Sequence, residues 1–166
     1  MTAATGPILD LDAFAAALVP GQRLIGIDAG TKTLGLALSD VSRTIASGLE
    51  TIRRTKFTAD ATRLLALADN HAIGGFVIGW PVSLDGGEGP RAQATRAFAR
   101  NLGRLSARPM LLWDERLSTV AAERALLEAD TSRRRRAELI DKVAATLILQ
   151  GALDRMQHAR GQQMRP

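Results

Sequence analysis

The stretch RLIGIDAGTKTLGLALS, residues 23–39, decides the fold. Two short apolar runs, Arg23 to Asp28 and Thr33 to Ser39, flank a turn that contains Gly30, and this pattern predicts an antiparallel hairpin. A weaker third strand is expected over Thr44 to Ile52. The core of the chain therefore begins with a three-stranded meander.

Helical and strand patterns alternate after the meander. The predicted elements are a helix over Phe57 to Asn70, a strand over Ile73 to Gly79, a helix over Arg91 to Leu105, a strand over Met110 to Trp113, and helices over Val120 to Ala129 and Arg133 to His158. Strands joined through helices favour parallel pairing, whereas the meander is antiparallel. The sequence predicts an α/β fold with a five-stranded mixed sheet and helices on both faces.

The length of 166 residues indicates a single domain with a core of its own. We expect an N-terminal extension with a short helix over residues 1–20, one domain over 21–160 and a flexible tail over 161–166. Asp10 and Asp12 precede the first apolar patch, which argues against a secretory signal. No apolar run approaches the roughly 18 residues of a membrane span, so a cytoplasmic protein without membrane contact is expected.

The composition limits the chemistry. The chain has no cysteine and two histidines, which excludes disulfides, thiolate nucleophiles and Cys/His zinc sites. Any metal must therefore be held by oxygen. The net charge is +5, and it is uneven, with −2 over residues 1–90 and +7 over residues 91–166. This asymmetry indicates either a polyanionic partner or solvated helix faces in an arginine-rich composition.

Carboxylates occupy three unusual positions. Asp28 ends one apolar strand, Asp114 and Glu115 end another, and Asp141 falls on the small-residue face of the last helix. Carboxylates that converge repel one another unless a cation neutralises them. Oxygen ligands alone select Mg²⁺ or Mn²⁺, and two such ions about 3.5 to 4 Å apart would suit phosphodiester hydrolysis. For each acid taken alone, the favoured interpretation is a turn former at a strand end or a surface acid paired with an arginine, and only their convergence points to a metal site.

Five ordered motifs carry a resemblance to a known family. They are GIDAGTK at 26–32, GLALSD at 35–40, GWPVSLDGGEGP at 79–90, DERLST at 114–119 and DKVAA at 141–145. Together they resemble the YqgF/RuvX family of bacterial RNase H-like nucleases, over residues 23 to about 155. The resemblance implies an RNase H-like fold, an active site like that of Holliday junction resolvases, and a role in trimming the 5′ end of precursor 16S rRNA.

The resemblance also implies the site residues. Asp28, Glu115 and Asp141 match the catalytic, metal-binding acids, and Asp114 is the alternative to Glu115. Strand alternation places Glu115 on the face of Leu111 and Trp113, and Glu115 lies nearer the strand end, so Glu115 is preferred.

Substrate contacts are expected on both sides of these acids. The turn of Gly30, Thr31 and Lys32 presents amides and an ammonium group to a phosphate, or is simply a tight turn. Arg116 is either a phosphate clamp or a balance for the acidic charge. A basic run at the start of the last helix could follow a nucleic-acid backbone, or could be a solvated helix start. It consists of Arg133, Arg134, Arg135 and Arg136.

Two further features each have two interpretations. Trp80 could stack on a base or pack against the sheet, and packing is favoured. The breaker-rich loop over residues 82–90 could be a lid ordered by substrate or a plain connector.

The carboxylates predict a hydrolase, a nuclease that depends on two Mg²⁺ or Mn²⁺ ions, and the resemblance implies that it acts on precursor 16S rRNA. The alternatives are a Holliday junction resolvase acting on branched DNA and a non-catalytic nucleic-acid scaffold. An actin-like phosphotransferase would need a longer chain with two domains. The expected partners are nucleic acid and the ribosomal particle, and the chain could act as a monomer or a homodimer.

Overall fold

The computed structural model of the chain describes residues 5–117 and 133–163. Its elements are β1 (Ile8–Leu9), α1 (Leu11–Ala17), β2 (Arg23–Ala29), β3 (Thr33–Ser39), β4 (Ala46–Arg53), α2 (Phe57–Asn70), β5 (Ile73–Trp80), α3 (Pro90–Gly103), β6 (Met110–Asp114), a 3₁₀ turn (Glu115–Leu117) and α4 (Arg133–Gln163). The predicted helix over Val120 to Ala129 lies outside the described residues. Helix α4 continues five residues past its predicted end, since no proline interrupts this stretch.

The strands form one sheet in the order β1-β6-β5-β2-β3-β4. Strands β2, β3 and β4 pair antiparallel, and the remaining pairs are parallel. The predicted mixed sheet is confirmed, but it has six strands instead of five. The additional strand is β1, whose two residues pair with Met110 and Leu111. Two residues are too few to show a strand periodicity in the sequence.

Alternate residues of the central strands enter two separate cores. Ile25 and Ile27 of β2 face α2 and α3, whereas Leu24 of β2 and Val77 of β5 face α4. The sheet is therefore covered by helices on both faces, as the sequence predicts.

Helix α4 packs tightly across the middle of the sheet. A Cβ atom built on Gly26 would lie 2.6 Å from Cβ of Leu149 and 2.9 Å from the carbonyl oxygen of Ala145. The backbone N–H of Ala46, at the start of β4, donates to Oε1 of Gln150, while Gly48 lies under the side chain of Lys142. Helix α4 thus runs opposite to β4 and β2, and its earlier turns lie toward the carboxyl end of β2.

The N-terminal segment is packed against the same face. Asp10 accepts a hydrogen bond from the N–H of Ala13 and so caps α1. Phe14 is fully buried, and its ring lies against Gly75 of β5. None of the described helices is long and apolar enough to cross a membrane.

Candidate active site

Two carboxylates flank a residue that has no side chain. Ile27 of β2 pairs with Ile78 of β5, so the next residues along these parallel strands, Asp28 and Gly79, are neighbours. A Cβ atom on Gly79 would lie 2.8 Å from Oε1 of Glu115. Gly79 therefore leaves open the space in which the Glu115 carboxylate lies, on the face of the sheet covered by α4.

Asp28 is well shielded from solvent. Asp28 lies on the same face of β2 as Leu24 and Gly26, because alternate residues of a strand share a face, and both of these residues face α4. Only 4% of Asp28 is exposed. A carboxylate so deeply buried requires hydrogen bonds or a cation to remain charged.

The structure distinguishes the two acids at the end of β6. Asp114 accepts hydrogen bonds from Nε of Arg116 at 3.0 Å and from the backbone N–H of Arg116 at 2.9 Å. The Arg116 side chain lowers the pKa of Asp114, and Asp114 in turn raises the pKa of Arg116. Glu115 instead lies beside Gly79, on the side of Trp113. Asp114 is thus held in an ion pair, while the Glu115 carboxylate lies over Gly79 of β5, the strand next to β2.

The third predicted acid can be located only by its backbone. Asp141 lies in α4, and its side chain is outside the described residues. Position 141 precedes Ala145 by one turn, so it lies toward the carboxyl end of β2, where Asp28 is found. Among the side chains that the structure describes, no three His, Asp or Glu residues form a group that could hold a metal ion.

Two arginines from the opposite face of the sheet hold the turn that follows Asp28. Nη1 of Arg54 donates to the carbonyl oxygen of Gly30 at 2.6 Å, and Nη2 of Arg91 donates to that of Ala29 at 3.2 Å. The Gly30 N–H donates to the carbonyl oxygen of Thr33 at 2.9 Å, within the hairpin. In the turn predicted to bind phosphate, the Gly30 amide is therefore already hydrogen-bonded within the protein, whereas Thr31 and Lys32 are exposed to solvent.

The comparisons with known proteins agree on one family. The model of the RuvX family, described as Holliday junction resolvase, matches residues 22–155. The chain belongs to the RuvX family. It is 61% identical over 148 residues to a protein of Paramagnetospirillum magneticum, covering 89% of this chain and 96% of the other. It is 62% identical over 147 residues to a protein of Ruegeria, covering 89% and 94%. Both relatives carry the name "Putative pre-16S rRNA nuclease".

Solved structures show the same fold at low sequence identity. RuvC of T. thermophilus, in complex with a Holliday junction substrate, matches with a TM-score of 0.52 and 16% identity, covering 81% of this chain and 96% of that chain. A second structure of Thermus thermophilus RuvC gives a TM-score of 0.51 at 17% identity, covering 82% and 97%. The RNase H-like fold that the sequence motifs imply is thereby confirmed for this member of the RuvX family.

In this RuvX-family chain, the breaker-rich loop over residues 82–90 is held by two arginines beside the acids. Glu88 accepts from the Arg96 guanidinium at 2.6 Å, and that guanidinium lies 5.0 Å from the centre of the Trp80 ring. At the other side of the loop, Nη1 of Arg116 donates to the carbonyl oxygen of Leu84 at 3.3 Å. The loop is therefore tied to both α3 and the end of β6. The half-buried ring of Trp80 lies against the Arg96 guanidinium, and its role in base stacking or in packing stays a prediction.

The predicted basic contacts lie at the end of β6 and at the start of α4. Arg116 lies at the site, where it neutralises Asp114 and holds the loop. The basic run opens α4, but its side chains lie outside the described residues: Arg133, Arg134, Arg135 and Arg136. Sequence reasoning missed Arg54 and Arg91, because only the folded sheet brings β4 and α3 to the turn after Asp28. The one available signal for Arg91 is its position directly after the breaker-rich loop.

Proposed function

We propose that this chain is a divalent-metal-dependent nuclease that hydrolyses phosphodiester bonds at the 5′ end of precursor 16S rRNA, in the cytoplasm, during ribosome biogenesis. The observation that carries the proposal is the position of Asp28 and Glu115 on either side of Gly79, at the carboxyl ends of β2 and β6, the two strands that pair with β5. Membership of the RuvX family and the name shared by the two relatives support the substrate assignment.

The residues present suit a hard divalent cation. Asp28 and Glu115 supply carboxylate oxygens, and Asp141 of α4 is the proposed third ligand, which together would hold one or two Mg²⁺ or Mn²⁺ ions. Gly79 makes room for one of these ligands, because a Cβ atom there would lie 2.8 Å from Oε1 of Glu115. A metal held by these residues would supply Lewis-acid stabilisation of the scissile phosphate and activation of the attacking water.

The surrounding residues limit the negative charge and fix the geometry. Arg116 neutralises Asp114, and the proposed ligands of the cation are Asp28, Glu115 and Asp141. Arg54 and Arg91 hold the carbonyls of the two residues after Asp28, which fixes the direction in which β2 leaves the site. A rigid support of this kind keeps a ligand within the small tolerance that catalysis requires.

Replacing Asp28 by Asn tests the proposal. The change preserves shape but removes the negative charge, so we expect Mg²⁺- and Mn²⁺-dependent cleavage of a 5′-extended 16S precursor to be abolished, with an unchanged circular dichroism spectrum. Asp12→Asn, an exposed acid in the first turn of α1, is the matched control and should cleave like the wild type. A fully active Asp28→Asn enzyme would contradict the metal-site assignment.

Branched DNA is the second candidate substrate, because the matching family model is described as Holliday junction resolvase. Cleavage of the 16S precursor and of a four-way DNA junction at equal salt distinguishes the two. A resolvase must cut two strands symmetrically, so that activity would be accompanied by a homodimer in solution, whereas trimming of an RNA end needs only a monomer. Tight RNA binding without turnover in either metal would instead indicate a non-catalytic scaffold.

A further inference from the structure

Arg53, at the end of β4, lies on the same face of the sheet as Asp28. Ile52, the residue before it, belongs to the core on the other face, where α2 and α3 pack. Alternate residues of a strand share a face, so Arg53 is directed to the α4-covered face, as Asp28 is. Thr33 pairs with Arg53, and its carbonyl oxygen accepts from the N–H of Gly30, two residues after Asp28. The strand pairing therefore links Arg53 to the turn that follows Asp28.

Two glycines lie between Asp28 and Arg53 at this end of the sheet. Asp28 pairs with Gly35 of β3, and Gly35 pairs with Thr51, two residues before Arg53. Gly35 and Gly30 have no side chains, and Gly30 is only half-buried, so α4 does not cover this end of the sheet completely. Neighbouring strands lie about 4.8 Å apart and advance about 3.4 Å per residue, which places the Cα atoms of Asp28 and Arg53 about 12 Å apart.

The positive charge of Arg53 is not paired within the described part of the protein. Arg54, its neighbour in sequence, donates to the carbonyl oxygen of Gly30 and so holds the turn from the other face of the sheet. Arg53 instead is exposed and makes no ion pair or side-chain hydrogen bond with a described residue. Lys32, in the same turn, is also exposed and forms no ion pair with any residue that the structure describes. Two cations at the carboxyl end of β2 therefore remain available to an anionic ligand.

We propose that Arg53, with Lys32 beside it, binds a phosphate of the substrate strand a few nucleotides away from the bond that is cleaved at Asp28 and Glu115. This inference rests on the proposed nuclease function and adds Arg53 to its substrate contacts. Successive phosphates of one strand advance about 3.4 Å along a duplex, so a separation of about 12 Å spans a few nucleotides. A guanidinium binds phosphate oxygens through forked hydrogen bonds, so Arg53 contributes affinity irrespective of base sequence.

The binding test compares two variants that each remove one exposed arginine. Arg53→Gln alters the proposed contact, and Arg155→Gln alters the same face of the sheet near the other end of α4. The Kd of a fluorescein-labelled RNA of about 20 nucleotides, from the 16S precursor 5′ end, is measured in EDTA at several salt concentrations. We expect Arg53→Gln to raise Kd about five- to tenfold and to reduce the slope of log K against log salt by about 0.7. Arg53→Lys should keep the wild-type slope, and Arg155→Gln should keep the wild-type Kd.

Cleavage of two substrates separates a flanking phosphate contact from a general effect on the acids. Bis(4-nitrophenyl) phosphate has a scissile diester but no second phosphate, whereas the RNA has many. With Mg²⁺ or Mn²⁺, Arg53→Gln should lower kcat/KM for the RNA about five- to tenfold, mainly through KM. Its effect on the small diester should be less than about twofold, because that substrate does not reach Arg53.

The outcomes distinguish this contact from the nuclease function. An unchanged Kd or salt slope in Arg53→Gln, or equal weakening by Arg155→Gln, would overturn the proposal. Equal losses of kcat/KM on the RNA and on the small diester would also overturn it, and would show that Arg53 balances the charge of the acids. If the wild-type chain cleaves neither substrate but Arg53→Gln still loses RNA affinity selectively, the phosphate contact stands and the nuclease function falls.

Discussion

At the scale of single residues, the glycines of the α4-facing side have different tasks. Gly26 allows the helix backbone to approach β2, since a Cβ atom there would lie within 2.9 Å of the Ala145 carbonyl oxygen. Gly79 instead makes room for a functional side chain, the carboxylate of Glu115. Glycine thus allows close helix packing at Gly26 of β2 and leaves room for the Glu115 carboxylate at Gly79 of β5.

Gly79→Ala is expected to impair catalysis more than folding. The new methyl group would lie 2.8 Å from Oε1 of Glu115 and 2.3 Å from Cδ1 of Ile148, so both must move. Overpacking of this kind costs about 1 to 3 kcal/mol of the free energy of unfolding, which urea titration measures. A misplaced ligand should reduce metal-dependent cleavage by about 10- to 100-fold. Gly161→Ala, where no heavy atom lies within 4 Å, is the control. Equal activity of the two variants would contradict the role assigned to Gly79.

At the scale of elements, the connection between β3 and β4 is held by the carboxylate of Asp40 and by the side-chain amides of two glutamines of α4. Asp40 accepts from the N–H groups of Thr44 and Ile45 at 2.7 and 3.1 Å. Gln150 of α4 donates to the carbonyl oxygen of Thr44, and Gln157 donates to its hydroxyl oxygen. The connection is thereby attached to the last helix, which fixes α4 along the sheet.

The Asp40 turn should make stability depend on pH. The backbone N–H of Ile45, the Ser42 hydroxyl and the N–H of Thr44 lower the pKa of Asp40 from 3.8 to about 2. Because the pKa of Asp40 is lower in the folded state, its stabilisation of the fold is present above pH 3.8 and is lost as the pH falls toward about 2. Asp40→Asn removes this titration, so its stability should approach that of the wild type over that range. Urea unfolding at several pH values measures the difference, and a constant difference from about pH 5 downward would refute it.

At the scale of the whole molecule, the periodicity of the sequence was sufficient for most of the fold. The apolar runs around Gly30 predict the hairpin, and β2 and β3 pair as expected. Strand β1 could not be predicted, since its two residues acquire strand geometry only by pairing with β6. A local sequence pattern predicts elements that are long enough to show a period. A two-residue edge strand shows none, because it depends on a neighbour that is distant in sequence.

The candidate site was predictable in part, for a related reason. Asp28 and Glu115 stand out because strand ends on an apolar sheet are unusual places for acids, and the motifs supply the rest. The contacts of Arg54 and Arg91 with the turn after Asp28 join residues 24 and 62 positions apart, and no local pattern encodes them. The pairing of Asp114 with Arg116, two residues apart, is the kind of contact that sequence proximity does suggest.

The packing of the N-terminal segment gives a prediction for the molecule as a whole. Phe14 of α1 is fully buried, and a Cβ atom on Gly75 would lie 2.8 Å from its ring. Phe14→Ala should therefore cost about 3 to 5 kcal/mol of the free energy of unfolding, as other buried phenylalanines do. Gly75→Ala alone should destabilise by overpacking, by about 1 to 3 kcal/mol. Because the smaller leucine leaves room for the new methyl group, Phe14→Leu/Gly75→Ala should be more stable than the sum of its single changes predicts, by about 0.5 kcal/mol or more. Strict additivity in urea unfolding would show that Phe14 of α1 and Gly75 of β5 are not coupled, and would contradict this prediction.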